Sequence, residues 1–203
     1  MKDEIYVKCK NDKAYSPIGV RNLIAQAEKE NDGDLQAVLD NKHKYKNLWE
    51  MWHGHFFALA LYKQFGEDYK FNLCIPENDP PDLYFLQANG DGAFPVEIME
   101  LYKPDENFKN YTDLAKHVWN TNGLMNYETC YLLLASRLNT DKFNVTKFIS
   151  EMKNFDWKFQ RIYISFYTEK ISQWTFFEIF PPTPHNDKNF MSYNLNDDKK
   201  YYY

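Results

Sequence analysis

Between Asp82 and Tyr102 the chain runs through two strand-like segments, "DLYFLQ" and "FPVEIMELY", joined by the turn-forming stretch "ANGDG". Two short apolar runs separated by a glycine-containing loop predict a β-hairpin with neighbouring antiparallel strands. The hairpin sets one acid, Asp82, at the entrance of the first strand and a second, Glu97, in the middle of the next. Side chains alternate along a strand, so Glu97, Met99, Leu101 and Lys103 share one face, and Val96, Ile98 and Glu100 share the other.

The elements around this hairpin follow from local signals. A strand is expected over Glu4–Lys8, and Ser16 followed by Pro17 marks the start of a helix that "NDGD" at 31–34 ends. A longer helix is predicted through "KYKNLWEMWHGHFFALALYKQFG", where Leu48, Trp52, Phe56, Leu59 and Phe65 recur at helical spacing and Gly66 supplies a stop. "YKFNLCI" (Tyr69–Ile75) reads as the strand before the hairpin. After it come a helix at "NYTDLAKHVWNT", an apolar strand over Glu128–Arg137 of the kind covered on both faces, and a helix from Asn144. Two more strands follow at "QRIYISFYT" and "QWTFFEIFPP", and the tail is polar.

This order predicts a single α/β domain with a mixed central sheet flanked by helices. Within it, residues 1–45 form an N-terminal helical extension, 46–180 the α/β core and 181–203 a polar tail. With 203 residues, 44% of them hydrophobic, the chain has material for one sizeable core. A net charge of -5 argues against a non-catalytic DNA coat or a histone-like binder, which needs a global basic field. It leaves room for a nuclease whose carboxylates offset a local basic rim. Cys9, Cys74 and Cys130 are odd in number and far apart, so the expectation is three reduced thiols in a cytoplasmic protein. The chain shows no run able to span a bilayer, hence no membrane partner.

Hard oxygen ligands at neighbouring strand positions are what a Mg²⁺-dependent phosphodiesterase requires, with coordination positions left for water and phosphate. The residues "PPD" at 80–82 and "VEIME" at 96–100, set in the order helix, three strands, helix, strand, resemble the PD-(D/E)XK nuclease superfamily over about Lys46–Arg137. The resemblance implies a restriction-endonuclease-like core and hydrolysis of DNA in a restriction, defence or mobile-element setting. It implies Mg²⁺ or Mn²⁺ bound by Asp82 and Glu97, with Glu50 of the long helix as an additional acidic ligand.

The departure is at position 99, where that superfamily usually carries lysine and this chain carries Met99. Methionine has neither a charge nor a donor, so it cannot do a lysine's work. Lys103 shares the face but lies four residues on, about 13 Å along a strand. Lys116, on the following helix, is the preferred replacement, as lysine migration in relatives of that superfamily implies. Lys103 and Lys109 are candidate substrate-binding residues, and "NKHKYK" (Asn41–Lys46) is a candidate phosphate-contacting rim.

The alternative drawn from Met99 is a catalytically silent nuclease-like fold that binds nucleic acid, a protein partner or a second copy of itself. Methionine is then simply a core filler. His53 and His55 stand two apart on a helix, about 200° around its axis, which disfavours a shared metal. No phosphate-binding glycine loop, nucleophile elbow or HExxH motif occurs.

Overall fold

The computed structural model describes residues 7–78, 80–90, 92–101, 110–123, 129–136, 143–168, 172–181 and 190–197. The chain divides into two compact units, Met1–Glu97 with Asn196–Tyr203, and Ile98–Leu195. Each combines helices with strands, and most strand pairings are antiparallel.

In the first unit, strand β1 (Cys9–Tyr15) pairs antiparallel with β2 (Phe71–Pro76), β2 with β3 (Leu83–Gln87), and β3 with the start of β4 (Ala93–Leu101). The predicted hairpin is present. Leu83 stands opposite Val96 and Phe85 opposite Phe94, while Gly90, at φ +83°, makes a turn that any other residue would adopt with strain. Helix α1 (Pro17–Lys29) starts where the sequence signals: Ser16 Oγ accepts from Gly19 N–H at 3.3 Å, and Pro17 occupies the first turn. Helix α2 (Leu35–Asp40) was not expected. Asp34 caps it by accepting from Ala37 N–H at 2.9 Å, and one turn suffices to bury Val38.

The long helix α3 (Lys42–Phe65) lies directly on β2 and β3. Gly54 allows this: a Cβ there would stand 2.6 Å from Leu83 Cδ1 and 3.0 Å from Leu73 Cδ2. Phe71, Phe85 and Phe94 meet one another with ring centroids 5.1–5.7 Å apart, and Phe57 of α3 reaches Phe85 at 5.9 Å. At roughly 1.5–3 kcal/mol for each fully buried Leu or Phe, this apolar contact holds the helix to the strands.

One expectation about the N-terminal region changes. A strand is found at Cys9–Tyr15, while residues 4–6 of the expected Glu4–Lys8 strand lie outside the described residues. Cys9 and Cys74 are joined in a disulfide, with Cα atoms 5.5 Å apart, because the β1–β2 pairing brings them together across 65 residues. The reading of three reduced thiols is therefore corrected, and with it goes that ground for a cytoplasmic location. Cys130 is free and buried. Among the described residues no helix is long and apolar enough to cross a membrane.

The second unit contains α4 (Tyr111–Val118), a π-helical turn at Trp119–Gly123, β5 (Tyr131–Ser136), α5 (Val145–Met152), β6 (Arg161–Thr168), β7 (Gln173–Phe180) and β8 (Phe190–Asn194). Strands β5 and β6 are parallel, connected through α5, while β6–β7 and β7–β8 are antiparallel. Residues Leu132–Ser136 are all buried, as a strand covered on both faces requires. Strand β8 and a 3₁₀ turn at Leu195–Asp197 fall within the segment expected to be a polar tail. Met191 and Tyr193, either side of Ser192, are buried opposite Phe176 and Trp174, a period-two pattern too short to stand out in the sequence.

Met99 and Leu101, at the end of β4, join Leu114, Val118, Leu132, Phe148 and Ile164 in the hydrophobic core of this unit. On β6 and β7, Arg161 is ion-paired to Glu178, which also accepts from Tyr163 OH at 3.4 Å.

Candidate functional site

Helix α3 bends at Tyr45, whose φ of -123° and ψ of 27° break the helical run. Tyr45 is fixed there by burial against Ala27 and Val38, and its hydroxyl accepts from Asn31 Nδ2 at 2.9 Å. The uninterrupted part of the helix begins at the next residue, Lys46. Glu50 follows one turn later on the same face, and Gly54 one turn after that.

Asp82 immediately precedes β3. Its neighbour Leu83 packs where the missing Cβ of Gly54 would be, which brings Asp82 beside the preceding turn of α3. Glu50 and Asp82 are accordingly hydrogen-bonded to each other, and they retain only 4% and 8% of their exposure. Lys46 Nζ lies 3.4 Å from Glu50 Oε1 and 3.8 Å from Asp82 Oδ1. The fold thus sets Glu50 and Asp82 side by side, with Lys46 against both.

Two carboxyl groups hydrogen-bond to each other only with a proton between them. Burial, followed by the charge and hydrogen bond of Asp82, pushes the Glu50 carboxyl up to about 9, against the lowering effect of Lys46. The arrangement thus favours a proton held by the pair. The result is a pair of desolvated oxygen donors with the Lys46 ammonium group against both.

Continuing the β3–β4 register by one residue sets Glu97 opposite Asp82. Glu97 is half-buried, with Oε2 out of contact with solvent. Among the described residues no group of three or more His, Cys, Asp or Glu side chains is arranged to hold a metal ion. The expected trio of Asp82, Glu97 and Glu50 is therefore brought together only as far as the Glu50–Asp82 pair. Mg²⁺ is commonly held by one or two carboxylates with water and phosphate completing the shell, and the pair fits that open arrangement but not a closed all-protein cage.

Lys116 is exposed on α4, in the second unit. Lys103 and Lys109 lie outside the described residues. The lysine that the structure sets beside the acid pair is Lys46, spaced i, i+4 from Glu50 on one helix and the last residue of the basic run Asn41–Lys46.

The two histidines are separate, as their spacing on α3 requires. The His53 ring packs 4.8 Å from that of Trp49, while His55 lies 3.9 Å from Phe56 and its Nδ1 is 3.3 Å from Met51 O. His55 is fully buried, and desolvation pulls its pKa down to about 3, so it is a neutral core residue.

No protein-family model matches the chain, and neither a curated protein nor a solved structure proves similar to it.

Proposed function

We propose that the chain is a divalent-cation-dependent nuclease that hydrolyses phosphodiester bonds in DNA, with its chemistry centred on Glu50 and Asp82. The observation that carries this reading is the buried, hydrogen-bonded acid pair with Lys46 against both carboxyl groups. Such pairs are costly to bury and cluster where chemistry is done. DNA as the substrate polymer follows from the resemblance of "PPD" and "VEIME" to PD-(D/E)XK nucleases.

Asp82 and Glu50 would hold Mg²⁺ or Mn²⁺, with Glu97 on the adjoining strand. The bound ion would supply Lewis-acid polarisation of a phosphoryl oxygen and a water molecule of lowered pKa. Asp82 fixes the position of the pair, because it is tied to β3 through Leu83. Glu50 would release its proton to solvent as the ion binds, since a ligating carboxylate must be deprotonated. Lys44, exposed just before Lys46, offers positive charge to the flanking phosphates.

The test is Mn²⁺ titration by calorimetry together with cleavage of plasmid and single-stranded DNA. Asp82→Asn is expected to abolish both the binding heat and the cleavage. Undiminished binding and cleavage by that variant would remove this site from consideration.

A second reading is favoured by Met99, which is packed in the core of the second unit where the resemblance calls for a lysine. On that reading the chain is a nuclease-like binding module without catalysis, and the wild-type protein gives no Mn²⁺ heat.

A further inference from the structure

Lys46 is placed where a second cation could not also sit. Its ammonium group is within 4 Å of an oxygen of each carboxyl group of the acid pair. Its side chain is nevertheless 54% exposed, on a four-carbon stem that leaves the helix at the bend. Glu50 and Asp82 are fixed by burial, whereas the Lys46 side chain stands half in solvent on a flexible stem.

We propose that Lys46 is a displaceable cation: it caps the acid pair in the metal-free protein, and it turns outward to a phosphate oxygen of the substrate when a divalent ion takes its place. This rests on the nuclease reading above. It assigns to α3 the positive charge that β4 lacks, since Met99 carries no donor and its side chain is committed to a hydrophobic core.

Two consequences of opposite sign follow. Lys46 competes with a divalent ion for the same carboxyl oxygens, so deleting its charge strengthens metal binding. Lys46 also offsets charge that develops on the phosphoryl group, so deleting it slows cleavage. A lysine that merely stabilised the helix would not produce the opposition between the two.

The experiment titrates Mn²⁺ alone into the full-length wild type, Lys46→Ala and Lys46→Arg by calorimetry, with plasmid cleavage measured in parallel. Lys46→Ala is expected to bind Mn²⁺ about two- to fivefold more tightly, the scale of a half-exposed ion pair. Its cleavage rate is expected to fall about 100-fold or more. Lys46→Arg, which keeps the charge, should retain wild-type Mn²⁺ affinity and recover part of the cleavage. Because Lys46 is half in solvent, both variants are expected to fold, and thermal melts verify it.

Equal or weaker Mn²⁺ binding by Lys46→Ala, or cleavage at the wild-type rate, overturns the proposal. If those results come with Asp82-dependent binding and cleavage in the wild type, Lys46 alone is misassigned. If the wild type shows no Asp82-dependent Mn²⁺ binding, the nuclease reading fails and the role of Lys46 falls with it.

Discussion

Glu50 of α3 is hydrogen-bonded to Asp82 at the entrance of β3, and both side chains are almost wholly removed from water. The contact joins a helix to a strand through a proton, so the stability of the first unit depends on whether that proton is present.

The direction of this dependence follows from linkage. The carboxyl of Glu50 is raised from its ordinary 4.5 to about 9 in the folded chain. Its contribution to stability is fully present below about pH 4.5 and is lost as pH rises through the folded value. Glu50→Gln, which keeps a donor toward Asp82 and cannot ionise, is expected to melt at a higher temperature than the wild type at pH 8. Its melting temperature should also vary less between pH 5 and 9. Thermal melts across that range, without divalent ions, check both points; an unchanged slope would show that Glu50 is ionised in the fold.

His55 acts in the opposite sense. Its pKa falls from 6.5 to about 3, chiefly through burial, so its contribution is fully present above about pH 6.5 and is lost as pH falls toward 3. Between about 4.5 and 6.5 the two groups pull stability in opposite directions. His55→Leu should flatten the acid limb of the stability profile while leaving the alkaline limb, which belongs to Glu50, in place. Urea unfolding at pH 4.5, 6 and 8 separates the two limbs.

Met99→Lys, the substitution that would rebuild the resembled motif, is expected to destabilise the protein without creating or improving cleavage. Met99 packs with Leu101, Leu114 and Leu132, and an ammonium group there has no polar partner among those residues. Holding a lysine neutral through a depression of about three pKa units costs about 4 kcal/mol. Met99→Leu, which conserves volume and polarity, should change stability by less than about 1.5 kcal/mol. Denaturant midpoints compare the two; a stable Met99→Lys variant with faster cleavage would return position 99 to the site.

The disulfide between Cys9 and Cys74 gives a chemical prediction. Under denaturing, non-reducing conditions one thiol per chain, that of Cys130, should react with a thiol reagent, and three should react after reduction. Closing a loop of 65 residues stabilises by about 4 kcal/mol on the chain-entropy account. The paired Cys9→Ala, Cys74→Ala variant should therefore melt well below the wild type. Three reactive thiols without reductant would contradict the pairing.

The sequence made some of this legible and concealed the rest for identifiable reasons. The hairpin, the cap at Ser16 and the buried strand at β5 were readable because each depends on neighbouring residues. Asp82 could be nominated from its place at the entrance of a strand, and Glu50 only through the resemblance to PD-(D/E)XK nucleases. The Cys9–Cys74 bond was hidden, since it depends on the pairing of β1 with β2 across the whole helical segment. Lys46 was hidden in a different way: a lysine within a basic run carries no mark of which carboxylates it will meet. The role of Met99 was undecided because strand alternation gives the direction of a side chain but not what waits there.

Gly54 contributes no functional atom, yet it works as a spacer of zero thickness between α3 and the strands beneath it. The helix rests at the depth that a hydrogen atom permits, and Glu50 meets Asp82 at the height this sets, one turn away. The reach of the acid pair is therefore calibrated from a position whose side chain is a hydrogen atom. A methyl group at Gly54 acts as a shim under the helix, and tuning the separation of the two carboxyl groups becomes a matter of packing rather than of charge.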